Sequence, residues 1–200
     1  MLIDAPQQRL FLALLPPPDL QEQVTAIKQQ FAEQFASRAA LRSPPHITLV
    51  PPFEWPTAQL AALTGSLEAF AKEQAPVAVE LCGFGAFPPR VIYIHVEPSP
   101  ELQQLQAKAQ RHMSLLLKQE EATAPARPFV PHMTVAFRDL QPAQFRAAWP
   151  QFKARLFQGS FLASALTLLL HDGKRWQVFA EFSLSASEGL RQETTAYSTQ

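Results

Sequence analysis

Two short segments of this chain repeat one pattern, Pro45-His46-Ile47-Thr48-Leu49 and Pro131-His132-Met133-Thr134-Val135. In an extended strand successive side chains alternate between faces, so His46 and Thr48 share one face while Ile47 and Leu49 point the other way. His132 and Thr134 stand against Met133, Val135 and Phe137 in the same manner. Each segment anchors an apolar face in a core and shows imidazole plus hydroxyl on the other. A proline before each histidine costs little at a strand start and stiffens the approach. The chain must therefore fold so that two equivalent strands, far apart in sequence, face a common site.

The surroundings of the motifs repeat as well. Leu10 to Leu15 is a short apolar run closed by prolines and predicts a buried strand. Asp19 is placed to cap a helix whose inner face is Leu20, Val24, Ile27, Phe31 and Phe35. After the loop Arg42-Ser43-Pro44-Pro45 comes the first motif strand, His46 to Val50, and Thr57 begins a helix carrying Leu60, Leu63, Leu67 and Phe70. Val77 to Phe87 and Val91 to Val96 read as strands. The order then recurs: Pro98-Ser99-Pro100-Glu101-Leu102-Gln103 echoes Pro17-Pro18-Asp19-Leu20-Gln21, and Leu102, Leu105, Ala109, Met113 and Leu116 mark a helix. The second motif strand runs from His132 to Phe137, and Pro142 opens a helix as Pro56 does. Phe161 to Leu170 and Gln177 to Leu184 predict a hairpin around Asp172-Gly173-Lys174-Arg175. A unit of strand, helix, motif strand, helix and strand thus occurs twice. It predicts two lobes related by a pseudo-twofold axis, with the motif strands facing across a central cleft. One bilobal domain is expected over residues 1–185, followed by a polar, loose tail over 186–200.

Charge excludes some partners. Lys plus Arg and Asp plus Glu number 17 each, so no global field draws the chain to long nucleic acid or a membrane surface. No apolar run approaches the ~18 residues of a spanning helix, and the N-terminus lacks a signal peptide's pattern. A cytoplasmic monomer without membrane contact is expected. The single Cys82 can form no internal disulfide and lies in a strand-like run, where it reads as a buried small hydrophobe.

Imidazole is the side chain whose ordinary pKa lies nearest neutrality, so one of a pair can be neutral while the other is protonated. On opposite sides of a phosphorus atom, His46 and His132 can serve an in-line displacement, one taking a proton from the attacking oxygen and the other giving one to the leaving oxygen. Thr48 and Thr134 can donate to the non-bridging oxygens, where negative charge is held in the transition state. Metal-ligand spacings of histidines and nearby acidic ligands are missing, so neither a metal nor another cofactor is expected. Secondary candidates for substrate contact are Arg138, which shares strand parity with His132, Arg42 and Arg127, which shortly precede the motifs, and Phe53, with Phe84 and Phe87, which could stack a base. His95 reads as structural, His112 as part of a solvated helix face and His171 as exposed.

The stretches Leu41 to Phe53 and Phe129 to Arg138 resemble the motif strands of the 2H phosphoesterase superfamily, in particular bacterial 2′-5′ RNA ligase or cyclic phosphodiesterase proteins. The resemblance spans roughly residues 8–185. It implies a bilobal α+β fold of two mainly antiparallel sheets with flanking helices. It also implies metal-independent chemistry on 2′,3′-cyclic phosphates or 2′-5′ linkages of RNA or small nucleotides, with His46 and His132 as the acid–base pair and Thr48 and Thr134 as phosphate ligands. Some members keep the motifs and mainly bind nucleotides, so a non-catalytic module for a nucleotide or RNA terminus is the alternative expectation.

Overall fold

A computed structural model describes residues 6–118 and 128–186. The first apolar run forms β1 (Gln7–Leu14), α1 follows (Pro18–Gln34), and the first motif lies in β2 (Ile47–Pro56), with α2 (Leu60–Lys72) behind it. Then come β3 (Val77–Phe87), β4 (Val91–Val96), α3 (Pro100–Leu116), the second motif in β5 (His132–Ala136), and α4 (Pro142–Lys153). Three strands close the chain: β6 (Gln158–Ala163), β7 (Ala165–His171) and β8 (Trp176–Ser183). The expected hairpin strand from Phe161 to Leu170 is in fact two strands in different sheets, because the chain leaves one sheet and enters the other at Ser164. Periodicity alone does not register that corner, since both pieces are apolar.

The fold is α+β. Two four-stranded antiparallel sheets have the orders β2-β1-β7-β8 and β5-β4-β3-β6. Each motif strand is an edge strand, and each lies beside the first strand of its own unit. The closing strands exchange: β3 joins the sheet of β4 and β5, while β7 joins the sheet of β1 and β2. The first helices exchange too, α1 packing against β5 and α3 against β2. The repeat is therefore interlaced, which the linear order of elements does not show. One continuous apolar core joins the helices to both sheets, with Leu10, Leu12, Ile47, Leu49, Ile92, Ile94, Met133 and Val135 all buried within it.

Local chemistry sets the helix starts. Ser99 caps α3, its hydroxyl accepting from the Leu102 N–H at 3.1 Å, with Pro100 in the first turn. In α1 the expected cap is displaced: Pro17 is the boundary residue and Asp19 sits in the first turn, where its charge favours the positive end of the helix. Cys82 is exposed, contrary to expectation. On β3, Val77, Val79 and Leu81 point inward, so strand parity turns Ala78, Glu80 and Cys82 outward. The tail lies outside the described residues apart from Ala186. Among the described residues no helix is long and apolar enough to cross a membrane.

Candidate active site

The edges β2 and β5 approach one another, and a cavity of about 190 Å³ opens there. Its lining includes His46 and Thr48 from the first motif, Thr134 and Arg138 from the second, and the aromatics Phe11, Phe137 and Trp176. Both threonines and both histidines are half-buried, while Ile47, Leu49, Met133 and Val135 on the opposite strand face are fully buried. The period-2 alternation thus delivers its polar face to the cavity, as the strand argument requires.

The two imidazoles are held alike. His46 Nδ1 lies 2.7 Å from the Pro44 carbonyl, and His132 Nδ1 lies 2.7 Å from the Val130 carbonyl. A carbonyl can only accept, so each ring carries its proton on Nδ1 and leaves Nε2 as its free nitrogen. Burial pushes the His46 pKa down to about 4 against the opposing pull of the Pro44 bond, and the positive charges of Lys28 and His132 lower it further. Burial also lowers His132, opposed by its bond to Val130. The push of His132 on His46 acts across the gap between the two motifs.

Aromatic rings pack beside both histidines. The Phe11 ring centre is 4.8 Å from that of His46 and 4.6 Å from that of Trp176 on β8. On the other side Tyr93 and Phe87 stand 5.1 Å and 5.2 Å from His132. Tyr93 occupies a place opened by Gly85, its cross-strand partner: a Cβ at Gly85 would stand 2.6 Å from the Tyr93 hydroxyl oxygen. Gly85→Ala is therefore expected to push this ring toward His132 and to destabilise the fold by about 1–3 kcal/mol, the usual range for overpacking. Urea unfolding measures it, and an unchanged midpoint would count against the close fit.

Arg138 reaches the cavity by a different route from the one expected. β5 ends at Ala136, and Arg138 adopts φ 59°, with its guanidinium 5.2 Å from the Phe137 ring centre. A turn, not strand parity, aims it. Asp139 secures that turn to the loop before the first motif, accepting from the Ser37 hydroxyl at 2.8 Å and from the N–H groups of Arg38 at 2.8 Å and Ala39 at 2.9 Å. Those N–H groups begin a short 3-10 turn, Ala39–Arg42, and would otherwise lack partners. Asp139→Ala removes the acceptor for all three donors and is expected to cost about 2 kcal/mol of stability. Guanidinium unfolding would show it as a lowered midpoint; no shift would mean the clasp carries no net energy.

Other candidates fall elsewhere. Arg42 is exposed, and Ser43 beside it lines the cavity instead. Arg127 lies outside the described residues. Phe53 is buried in the core against Trp55, so it cannot stack a base; on β2 it keeps the inward parity of Ile47 and Leu49. Phe84 packs against Phe152 and Phe157, whereas Phe87 is 40% exposed beside His132. His95 is the cross-strand partner of His132 and is half-buried. His112 is not simply solvated: it bonds Ser66 at 3.0 Å and stacks on Phe70. His171 is half-buried against Trp176. Phe137, expected on the core face of the second motif strand, lines the cavity instead, because β5 ends at Ala136 and alternation stops there; Phe11 and Trp176 carried no sequence signal, because apolar runs look alike whether they face a core or a cavity.

The chain and its fold have counterparts among known proteins. A model of the 2′-5′ RNA ligase superfamily matches residues 16–175, and the chain belongs to that family. A Geobacillus kaustophilus protein named "Putative phosphoesterase" is 29% identical over 181 residues, covering 88% of this chain and 96% of that protein. A Bacillus cytotoxicus protein of the same name is 31% identical over 130 residues, 64% of this chain and 69% of its own. The fold is that of the crystal structure of E. coli LigT complexed with 3′-AMP, with a TM-score of 0.66 at 22% identity, covering 90% of this chain and 100% of LigT. A Thermus thermophilus crystal structure matches with a TM-score of 0.63 at 23% identity, covering 88% of this chain and 98% of that one.

Proposed function

We propose that this chain is a metal-independent phosphoesterase that opens 2′,3′-cyclic phosphate ends, or cleaves 2′-5′ phosphodiesters, of small nucleotides or RNA termini. The observation that carries the reading is the meeting of His46, Thr48 and Thr134 in one cavity with His132 beside it, both imidazoles held through Nδ1. One neutral Nε2 takes the proton of the attacking hydroxyl or water while the other imidazole, protonated, gives its Nε2 proton to the leaving oxygen. The Thr48 and Thr134 hydroxyls and the Arg138 guanidinium donate to the non-bridging oxygens, where charge accumulates. The cavity lining offers imidazole, hydroxyl and guanidinium and no carboxylate among the described residues, a donor set suited to an anion and not to a hard cation. Membership of the family and the phosphoesterase names of its relatives support the reaction class. The nucleotide complexes of LigT support the substrate class.

The test is hydrolysis of a nucleoside 2′,3′-cyclic phosphate by the purified protein in EDTA, followed by chromatography of the products. Turnover unaffected by the chelator is the expected result. Nucleotide binding without turnover would replace the enzyme with a binding module, and turnover abolished by EDTA but restored by a divalent ion would end the metal-independent mechanism.

A further inference from the structure

Lys28 lies in the middle of α1 and is only 2% exposed. Burying an ammonium is costly unless something inside the protein replaces its water shell. No salt bridge joins Lys28 to a carboxylate among the described residues; its Nζ donates to the Ser43 carbonyl at 3.0 Å. That carbonyl is not arbitrary. Ser43 lines the cavity, and it is followed by Pro44 and Pro45, neither of which has an N–H with which to tie the backbone down. The next carbonyl, of Pro44, accepts from His46 Nδ1. Two successive carbonyls therefore carry the whole linkage from α1 to the imidazole: Lys28 grips the first and His46 the second.

The other half of the repeat shows the same device in weaker form. Gln103 of α3 donates through Nε2 to the Phe129 carbonyl at 3.5 Å, and the next carbonyl, of Val130, accepts from His132 Nδ1. In both halves the carbonyl three residues before the motif histidine is taken by a helix side chain. Helix positions 28 and 103 are not equivalent in the repeat, so the shared feature is the carbonyl and not the residue.

We propose that Lys28 is a positioning residue: by holding the Ser43 carbonyl it fixes the Ser43-Pro44-Pro45 segment, and through the Pro44 carbonyl it sets the tautomer and direction of the His46 ring. Burial lowers the Lys28 pKa to about 7, and its charge is one of the influences that lower the His46 pKa. Besides His46, the titratable or charged groups on the elements packed against α1 include His132 at the start of β5, Arg38, Arg42 and Asp139 around the 3-10 turn, Arg146 and Lys153 on α4, whose Phe152 stacks on Phe31, and Arg155, which donates to Gln30.

The experiment uses the full chain and its Lys28→Met variant, which keeps the volume of the stem and removes the donor. Long-range proton–nitrogen spectra report the imidazole tautomers directly. The wild type is expected to show both rings as the Nδ1–H form. Lys28→Met is expected to mix the tautomers of His46 and leave His132 unchanged, with kcat for a 2′,3′-cyclic phosphate reduced about tenfold and KM nearly constant, the pattern of a misaimed group. A His46 spectrum identical to wild type overturns the proposal. The kinetic arm rests on the phosphoesterase reading and the spectral arm does not, so a protein without turnover would still report on Lys28. Should the variant fail to fold, the wild type supplies the answer at pH 6: a slowly exchanging Lys28 ammonium coupled through its hydrogen bond to the Ser43 carbonyl carbon supports the proposal, and its absence overturns it.

Discussion

Replacing either motif histidine with alanine is expected to lower kcat for a nucleoside 2′,3′-cyclic phosphate by at least ~10²-fold, the lower range for loss of a general acid or base. The reason is local. His46 and His132 each have Nδ1 committed to a backbone carbonyl, so Nε2 is the one position from which either ring can exchange a proton with the substrate. Their rings sit at strand starts with apolar neighbours facing the core, so truncation removes the imidazole without opening the main core. Circular dichroism and unfolding midpoints close to wild type are expected alongside the kinetic loss. The double variant is expected to be little worse than the poorer single one, because two groups moving protons in one displacement act as a unit. A single variant retaining more than a tenth of wild-type kcat would sink the acid–base assignment.

The second large effect is in pH. The productive pair has one imidazole neutral and one protonated, whichever ring plays which part. Both histidines are shifted down by burial, His46 to about 4 and His132 below its ordinary value. As pH falls through the lower of the two midpoints the base becomes protonated and activity is lost. As pH rises through the upper one, which lies under the ordinary ~6.5, the acid loses its proton and activity is lost again. A bell-shaped kcat/KM follows, with its maximum on the acid side and the two limbs belonging to the pair and not to single residues. At pH 8 the value is expected to be at least ~30-fold below the maximum, since the alkaline limb falls tenfold per unit. A profile flat or rising between pH 6 and 9 would show that the free enzyme does not work through these two rings.

The strand parity of the motifs was legible from sequence because it depends only on backbone geometry: Ile47, Leu49, Met133 and Val135 had to face inward once the segments were extended. So was the duplication, carried by prolines and apolar runs in matching order. What the order of elements conceals is partner choice. Nothing in Val77 to Phe87 says that it will pair with β4 and not with β1, and nothing in the apolar run past Phe161 announces the change of sheet at Ser164. Strand parity does not aim Arg138: it stands at positive φ in a turn that its neighbour Asp139 ties to Ser37, Arg38 and Ala39, distant in sequence. Lys28 was invisible, because one charged residue on an otherwise apolar helix face reads as ordinary amphipathic drift. Phe53 lies on the core face where alternation from Ile47 and Leu49 puts it, so strand parity alone argues against its stacking a base.

The exchange of β3 and β7 bears on how wide the mouth between the motif strands can gape. In many two-lobed enzymes a single linker lets the halves swing apart around a bound molecule. Here such a swing would strip backbone ladders in both sheets and pull α1 and α3 off the strands they cover. The gap between the two imidazoles is accordingly woven into the fabric of the molecule, and a nucleotide must fit an aperture already set to size.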